Sequence, residues 1–91
     1  MDRENIYETT LNKEVIREVS AGILSDLDRY IEEKQIKEDS NDLILGIRKK
    51  VLYIYKNIYG NKIYNSMNDI LEIKGQLKMI NELLMDIGVN I

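Results

Sequence analysis

The spacing of the apolar residues constrains the fold of this chain more than any other feature. From Asp42 to Tyr59 aliphatic residues recur at intervals of 3, 4, 3 and 4, and from Met67 to Gly88 at intervals of 3, 4, 3, 4 and 3. These two seams are Ile44, Ile47, Val51, Ile54 and Ile58, and then Ile70, Ile73, Leu77, Ile80, Leu84 and Ile87. An α-helix has about 3.6 residues per turn, so each seam lies on one helical face. The spacing therefore predicts two amphipathic helices.

A third helix is predicted ahead of these two, from Leu11 to about Lys37. Its apolar stripe is broader than the later seams. The stripe consists of Val15, Ile16, Val19, Ile23, Leu24, Leu27, Tyr30 and Ile31. Residues 1–9 are mostly polar and are predicted to be a frayed lead-in. The spacing of three and four residues places this stripe along one side of a helix.

The predicted helices are separated by residues that favour caps and turns. Ser40 or Asn41 is expected to cap the second helix. Gly60 follows its last periodic residue and is expected to adopt the left-handed conformation of a C-terminal cap. Ser66 and Asp69 have the spacing of a capping box at the start of the third helix.

These features predict an all-α fold, a small antiparallel bundle of three helices at about 11–37, 42–59 and 67–88. A chain of 91 residues has room for one domain, here 1–91. The short connections are expected to make helix 1 pack against helix 2, and helix 2 against helix 3. A domain of this size buries a modest core, so dimerisation is a second way to complete the bundle.

The composition argues against catalysis and cofactor binding. The chain has no histidine and no cysteine, which are the commonest general base and the commonest thiolate ligand. No phosphate-binding loop, dinucleotide fingerprint or zinc spacing is present. We expect no catalytic, cofactor-binding or metal-binding residues. The chain shows no signal peptide and no apolar run long enough to span a membrane, so a cytoplasmic location is expected.

Charge is distributed unevenly along the chain. Its net charge is -3, yet residues 43–68 contain five basic side chains and no acidic one. On the second helix, helical spacing groups Lys49, Tyr53 and Lys56 on the face opposite the seam, with Lys50 and Asn57 beside them. This group is either a docking face for an acidic partner or a solvated surface.

Apolar residues of the third helix spread beyond its seam. Met79 and Leu83 lie on one side of it, and Met85 lies on another. Either the three helices leave part of this surface uncovered, or they form a complete core with three partly exposed methionines. An uncovered strip with methionines suits the groove of a partner protein or a homodimer.

The sequence thus predicts a non-enzymatic protein-interaction module, a small regulator or inhibitor from a bacterium or phage. Its partner would be another protein that is acidic or has an apolar groove. One alternative is an immunity-type protein directed against a bacteriocin or toxin. Another is a nucleic-acid-binding accessory protein that uses the basic face, although the negative net charge counts against it. The candidate partner-binding residues are Arg48, Lys49, Lys50, Tyr53, Lys56, Met79, Leu83 and Met85.

Overall fold

Three helices make up the secondary structure of the described chain. The computed structural model describes residues 3–40, 42–60 and 66–89. Helix α1 spans Arg3–Lys34, α2 spans Leu43–Asn57 and α3 spans Met67–Asp86, and the described residues include no strand. The predicted all-α bundle of three helices is confirmed. The first helix begins eight residues earlier than predicted and ends three residues earlier.

Helix α1 is the common partner of the other two helices. Its 32 residues make a rod of about 48 Å, since each residue of an α-helix rises about 1.5 Å. The molecule measures 48 × 24 × 16 Å, so α1 defines its long axis. Side-chain contacts at both ends of each pair show that α2 runs antiparallel to α1 and that α3 runs parallel to α1. Both pack along α1, so the expected packing of helix 1 against helix 2 is confirmed, whereas the expected packing of helix 2 against helix 3 was wrong. The α2–α3 side of the bundle is therefore partly open.

The apolar seams of the three helices form the core, although some residues at the edges of the seams are exposed. All five residues of the α2 seam are buried, as predicted. On α1, Ile16, Ile23 and Leu27 are buried, but Val15 and Val19 remain exposed. The broad stripe of α1 is therefore wider than the surface that α2 and α3 cover.

The α3 seam is buried along most of its length. Leu77 and Leu84 are buried, as are both isoleucines of the first turns. Ile80 is half-buried, and Ile87 is 41% exposed. Beyond the helix, Val89 folds back and is buried. Val89 rather than Ile87 therefore closes this end of the core.

Side chains cap the starts of α2 and α3. Asp42 caps α2, and its carboxylate accepts a hydrogen bond from the Ile44 amide at 2.8 Å. The prediction of Ser40 or Asn41 as this cap was thus off by one or two positions. At α3 the Ser66 hydroxyl accepts from the Asp69 amide at 3.1 Å and donates to the Asp69 carboxylate at 2.7 Å. The predicted pairing of Ser66 with Asp69 is confirmed.

Two helices end in Schellman motifs, which join amides beyond the helix to its last carbonyls. At α1 the Ile36 amide donates to the Ile31 carbonyl at 3.0 Å, and Gln35 has a φ of 54°. At α3 the Val89 amide donates to the Leu84 carbonyl at 2.8 Å, and Gly88 has a φ of 83°. These bonds bring the apolar residue after each helix back towards the core.

The predicted cap at Gly60 was wrong. Helix α2 ends with Ile58, which keeps right-handed helical angles. Among the described glycines, Gly88 is the one with a positive φ. Buried Ile58 continues the seam beyond the last helical residue, so packing rather than a left-handed glycine fixes the end of α2.

Two glycine-to-alanine substitutions are expected to change stability in opposite directions. An added Cβ meets no atom within 4 Å at either Gly75 or Gly88, so crowding does not distinguish the two positions. Gly75 is inside a helix, where alanine should stabilise the fold by about 1 kcal/mol. Gly88 has a positive φ, where a Cβ should destabilise it by about 1 kcal/mol. Thermal denaturation followed by circular dichroism should show a higher Tm for Gly75→Ala and a lower Tm for Gly88→Ala; equal shifts would contradict the Gly88 cap.

Candidate partner-binding surface

The lysines of the second helix form an open basic face, defined as Lys49, Lys50, Tyr53 and Lys56. All four residues are exposed, and Tyr53 is 52% accessible to solvent. None of the three lysines forms an ion pair with a carboxylate in the part of the chain that the structure describes. Their charges are therefore available to a partner.

Arg48 differs from the lysines because it is bound to another helix. Its Nε donates to Asp28 Oδ1 of α1 at 2.6 Å. Both side chains are partly exposed, so this ion pair contributes at most about 1 kcal/mol. Arg48 links α2 to α1 and is less free than the lysines to contact a partner.

A groove separates α2 from α3, and Lys50 and Tyr53 of the basic face lie in its wall on α2. The groove has a volume of about 330 Å³. Acidic residues of α3 stand in the wall opposite Lys50, and buried isoleucines form its floor. The lining residues are Lys50, Tyr53, Ile54, Asp69, Glu72, Ile73 and Gln76. The groove thus combines charges of both signs with an apolar floor.

The ridge of α3 beside this groove continues into exposed apolar side chains. Glu72, Gln76, Met79 and Leu83 follow one another at intervals of four, three and four, so they lie along one side of the helix. Met79 is 70% exposed and Leu83 is 40% exposed. We call Lys50, Tyr53, Met79 and Leu83 the α2–α3 face. Four of the eight predicted residues thus share one side of the bundle.

Met85 lies on the opposite flank of α3. It continues the row of Lys74, Lys78 and Asn81, which border a groove between α3 and α1. The structure therefore separates Met85 from Met79 and Leu83, as the helical spacing indicates. A partner that contacts only the α2–α3 face would not reach Met85.

The sequence pattern did not predict the groove between α1 and α3. It has a volume of about 160 Å³, and Val15 and Val19 form its wall on α1. These valines are 46% and 41% exposed. The breadth of the α1 stripe was the available signal, since a stripe wider than one packed face leaves an edge uncovered.

An arginine of α1 lies over two tyrosines at the end of α2. The Arg17 guanidinium carbon is 5.5 Å from the ring centroids of both Tyr55 and Tyr59. A cation at this distance from an aromatic ring is attracted to the face of the ring. Tyr55 and Tyr59 therefore stabilise the packing of α2 against α1. Tyr53, on the open basic face, makes no such contact with Arg17.

Neither a metal site nor a membrane span is found among the described residues. Among residues 3–40, 42–60 and 66–89, no cluster of acidic side chains could hold a metal ion. None of the three described helices is long and apolar enough to cross a lipid bilayer. The described residues thus form a three-helix bundle with an open groove on each flank of α3.

Comparison with known families identifies the class of protein to which this chain belongs. Residues 5–87 match the family model described as bacterial epsilon antitoxin, so the chain belongs to that family. No curated protein and no solved structure matches the chain. Membership makes the chain a bacterial antitoxin, a small regulator that binds a toxin as its partner protein. The predicted protein-binding inhibitor is consistent with this assignment.

Proposed function

We propose that this antitoxin neutralises its toxin by docking the α2–α3 face onto the toxin surface. The observation that carries the proposal is the row of exposed apolar side chains beside an open groove. Tyr53, Met79 and Leu83 together present an aromatic ring, a thioether and a branched aliphatic group to solvent. Tyrosine and methionine are both enriched at protein interfaces. Inhibition would follow from occupying the toxin surface and needs no reaction on the antitoxin.

The charges around these side chains favour a particular kind of toxin surface. Lys49 and Lys56 are exposed on the outer edge of the basic face, next to Tyr53. Glu72 stands across the groove from Lys50. An apolar groove on the toxin, bordered mainly by acidic residues, would complement this arrangement. Rim charges of this kind accelerate association and fix orientation more than they raise affinity.

A co-purification experiment tests the proposed function. Tagged toxin and untagged antitoxin are produced together, the lysate is treated with nuclease, and the toxin is captured. We expect the antitoxin to be retained and cells that make both proteins to grow, whereas cells that make the toxin alone stop growing. Retention that disappears after nuclease treatment would instead support the nucleic-acid alternative. Loss of both retention and protection would contradict the proposal.

Homodimerisation remains a separate prediction for the same apolar surface. If two copies pair through the α2–α3 face, toxin and second copy compete for it. Light scattering of the free antitoxin over a range of concentrations measures its mass. A dimer that dissociates when toxin is added would place both contacts on one face, whereas a dimer that persists in the complex would place dimerisation elsewhere.

A further inference from the structure

We propose that Met79 is an oxidation site at which a hydroperoxide weakens the hold of the antitoxin on its toxin. This inference rests on the proposed function, because it requires Met79 to lie in the toxin-binding face. Oxidation would act on the free antitoxin, before the toxin covers the side chain. The modified residue would be methionine sulfoxide.

The first support is the accessibility of Met79. At 70% exposure it is the most exposed of the large hydrophobic side chains in residues 12–40, 42–60 and 66–89. Met67 is half-buried and packs against the core. Met85 is 58% exposed but lies on the other flank of α3. Of these three methionines, Met79 alone combines high exposure with a place on the α2–α3 face.

The second support is the composition of the chain. It contains no cysteine, so a peroxide finds no thiol that would react first. The four methionines are therefore its only sulfur atoms. Sensitivity to peroxide in this protein should accordingly appear as methionine oxidation.

The reaction transfers one oxygen atom. A lone pair of the Met79 thioether sulfur attacks the terminal oxygen of the hydroperoxide, and an S–O bond forms as the O–O bond breaks. The sulfur is oxidised by two electrons, and the peroxide is reduced to water or an alcohol as a proton reaches the leaving oxygen. The product is a sulfoxide, with no other atom left on the protein.

The sulfoxide would disturb an apolar contact without unfolding the bundle. It is polar and accepts hydrogen bonds, so burying it against an apolar toxin surface leaves its oxygen without a partner. We expect a loss of affinity of about tenfold, which corresponds to one unsatisfied buried polar group. Because Met79 is exposed in the free protein, the Tm should change little.

The test compares the free antitoxin with the antitoxin–toxin complex after exposure to hydrogen peroxide. Peptide mass spectrometry reports the oxidised fraction of each methionine, and titration calorimetry reports the Kd for the toxin before and after treatment. We expect Met79 to oxidise readily in the free protein and slowly in the complex. Wild type should lose affinity about tenfold on oxidation, and treatment with methionine sulfoxide reductases should restore it.

Two substitutions assign the effect to one residue. Each variant is compared with itself before and after peroxide, so its starting affinity does not matter. Met79→Leu removes the reactive sulfur and should keep its own Kd after treatment. Met85→Leu retains Met79 and should lose affinity as wild type does. An oxidised Met79→Leu protein that still loses affinity would overturn the proposal.

Failure of this inference can be told apart from failure of the proposed function. If wild type binds the toxin equally well with and without Met79 sulfoxide, the oxidation site has no regulatory effect. If Met79 also oxidises equally fast in free and bound antitoxin, the toxin does not cover it, and the α2–α3 face is not the docking site. If Met79 is protected in the complex but its oxidation leaves Kd unchanged, the docking face stands and only the inference fails.

Discussion

Leu77→Asp is expected to leave the protein unfolded at room temperature. Leu77 is 2% exposed and lies in the core between α1 and α3. The substitution removes a buried leucine, which destabilises a fold by about 2–5 kcal/mol, and adds a carboxylate that must be buried or drawn out to water. Small domains are stable by about 5–15 kcal/mol, and a bundle of this size belongs at the lower end. The combined penalty should therefore exceed the stability of the fold.

Circular dichroism at 222 nm during heating measures this outcome, with Met79→Asp as the matched control. The control places the same charge two residues further along the same helix, at a side chain that is 70% exposed. Its stability should stay within about 0.5 kcal/mol of wild type. A cooperative transition near the wild-type Tm for Leu77→Asp would show that the α3 seam does not face the core.

The core-facing positions of α2 could be predicted because its seam is narrow. Its five aliphatic residues follow the helical period closely, and one packed face accommodates all of them. On α1 the stripe is wider than one face. Which edge of the α1 stripe stays uncovered depends on where α3 packs. The sequence does not directly give the position of α3 relative to α1. Val15 and Val19 thus became part of an open groove instead of the core.

The ends of the helices show a second limit of local sequence patterns. Both Gly60 and Gly88 follow a periodic seam closely, so either fits the position of a left-handed cap. Gly88 adopts that conformation, and the next residue, Val89, is buried. At α2 the seam residue Ile58 is buried beyond the last helical residue, which keeps the backbone right-handed there. The burial of neighbouring residues in the folded bundle decides which glycine forms the left-handed cap. The local sequence around each glycine does not encode that burial.

Part of the candidate partner-binding surface could be predicted from the sequence. Helical spacing alone separates Met79 and Leu83 from Met85, and the structure places them on opposite flanks. The ion pair of Arg48 with Asp28 needs the relative position of two helices, so it is visible only in the structure. The sequence identified which side chains lie outside the seams, while the packing of α1 shows which of them share a groove.

The double substitution Met79→Asp with Leu83→Asp is expected to abolish toxin neutralisation while the antitoxin stays folded. Both side chains are exposed in the free protein, so their replacement should cost little stability. In the complex, two carboxylates would be buried against an apolar toxin surface without partners. Unpaired buried charges at the centre of an interface should reduce affinity by at least about a hundredfold. Calorimetric titration with the toxin and growth of cells that make both proteins measure the two consequences.

The control that decides between the two grooves of α3 is Val15→Asp with Val19→Asp. This pair introduces the same charges at two exposed apolar residues of the groove between α1 and α3. If the toxin docks on the α2–α3 face, this variant should bind it as wild type does, and both variants should melt near the wild-type Tm. The reverse result, with binding lost through the valines and kept by the α3 variant, would move the docking site to the α1–α3 groove. Equal loss in both folded variants would mean that the toxin wraps around α3 and contacts both of its flanks.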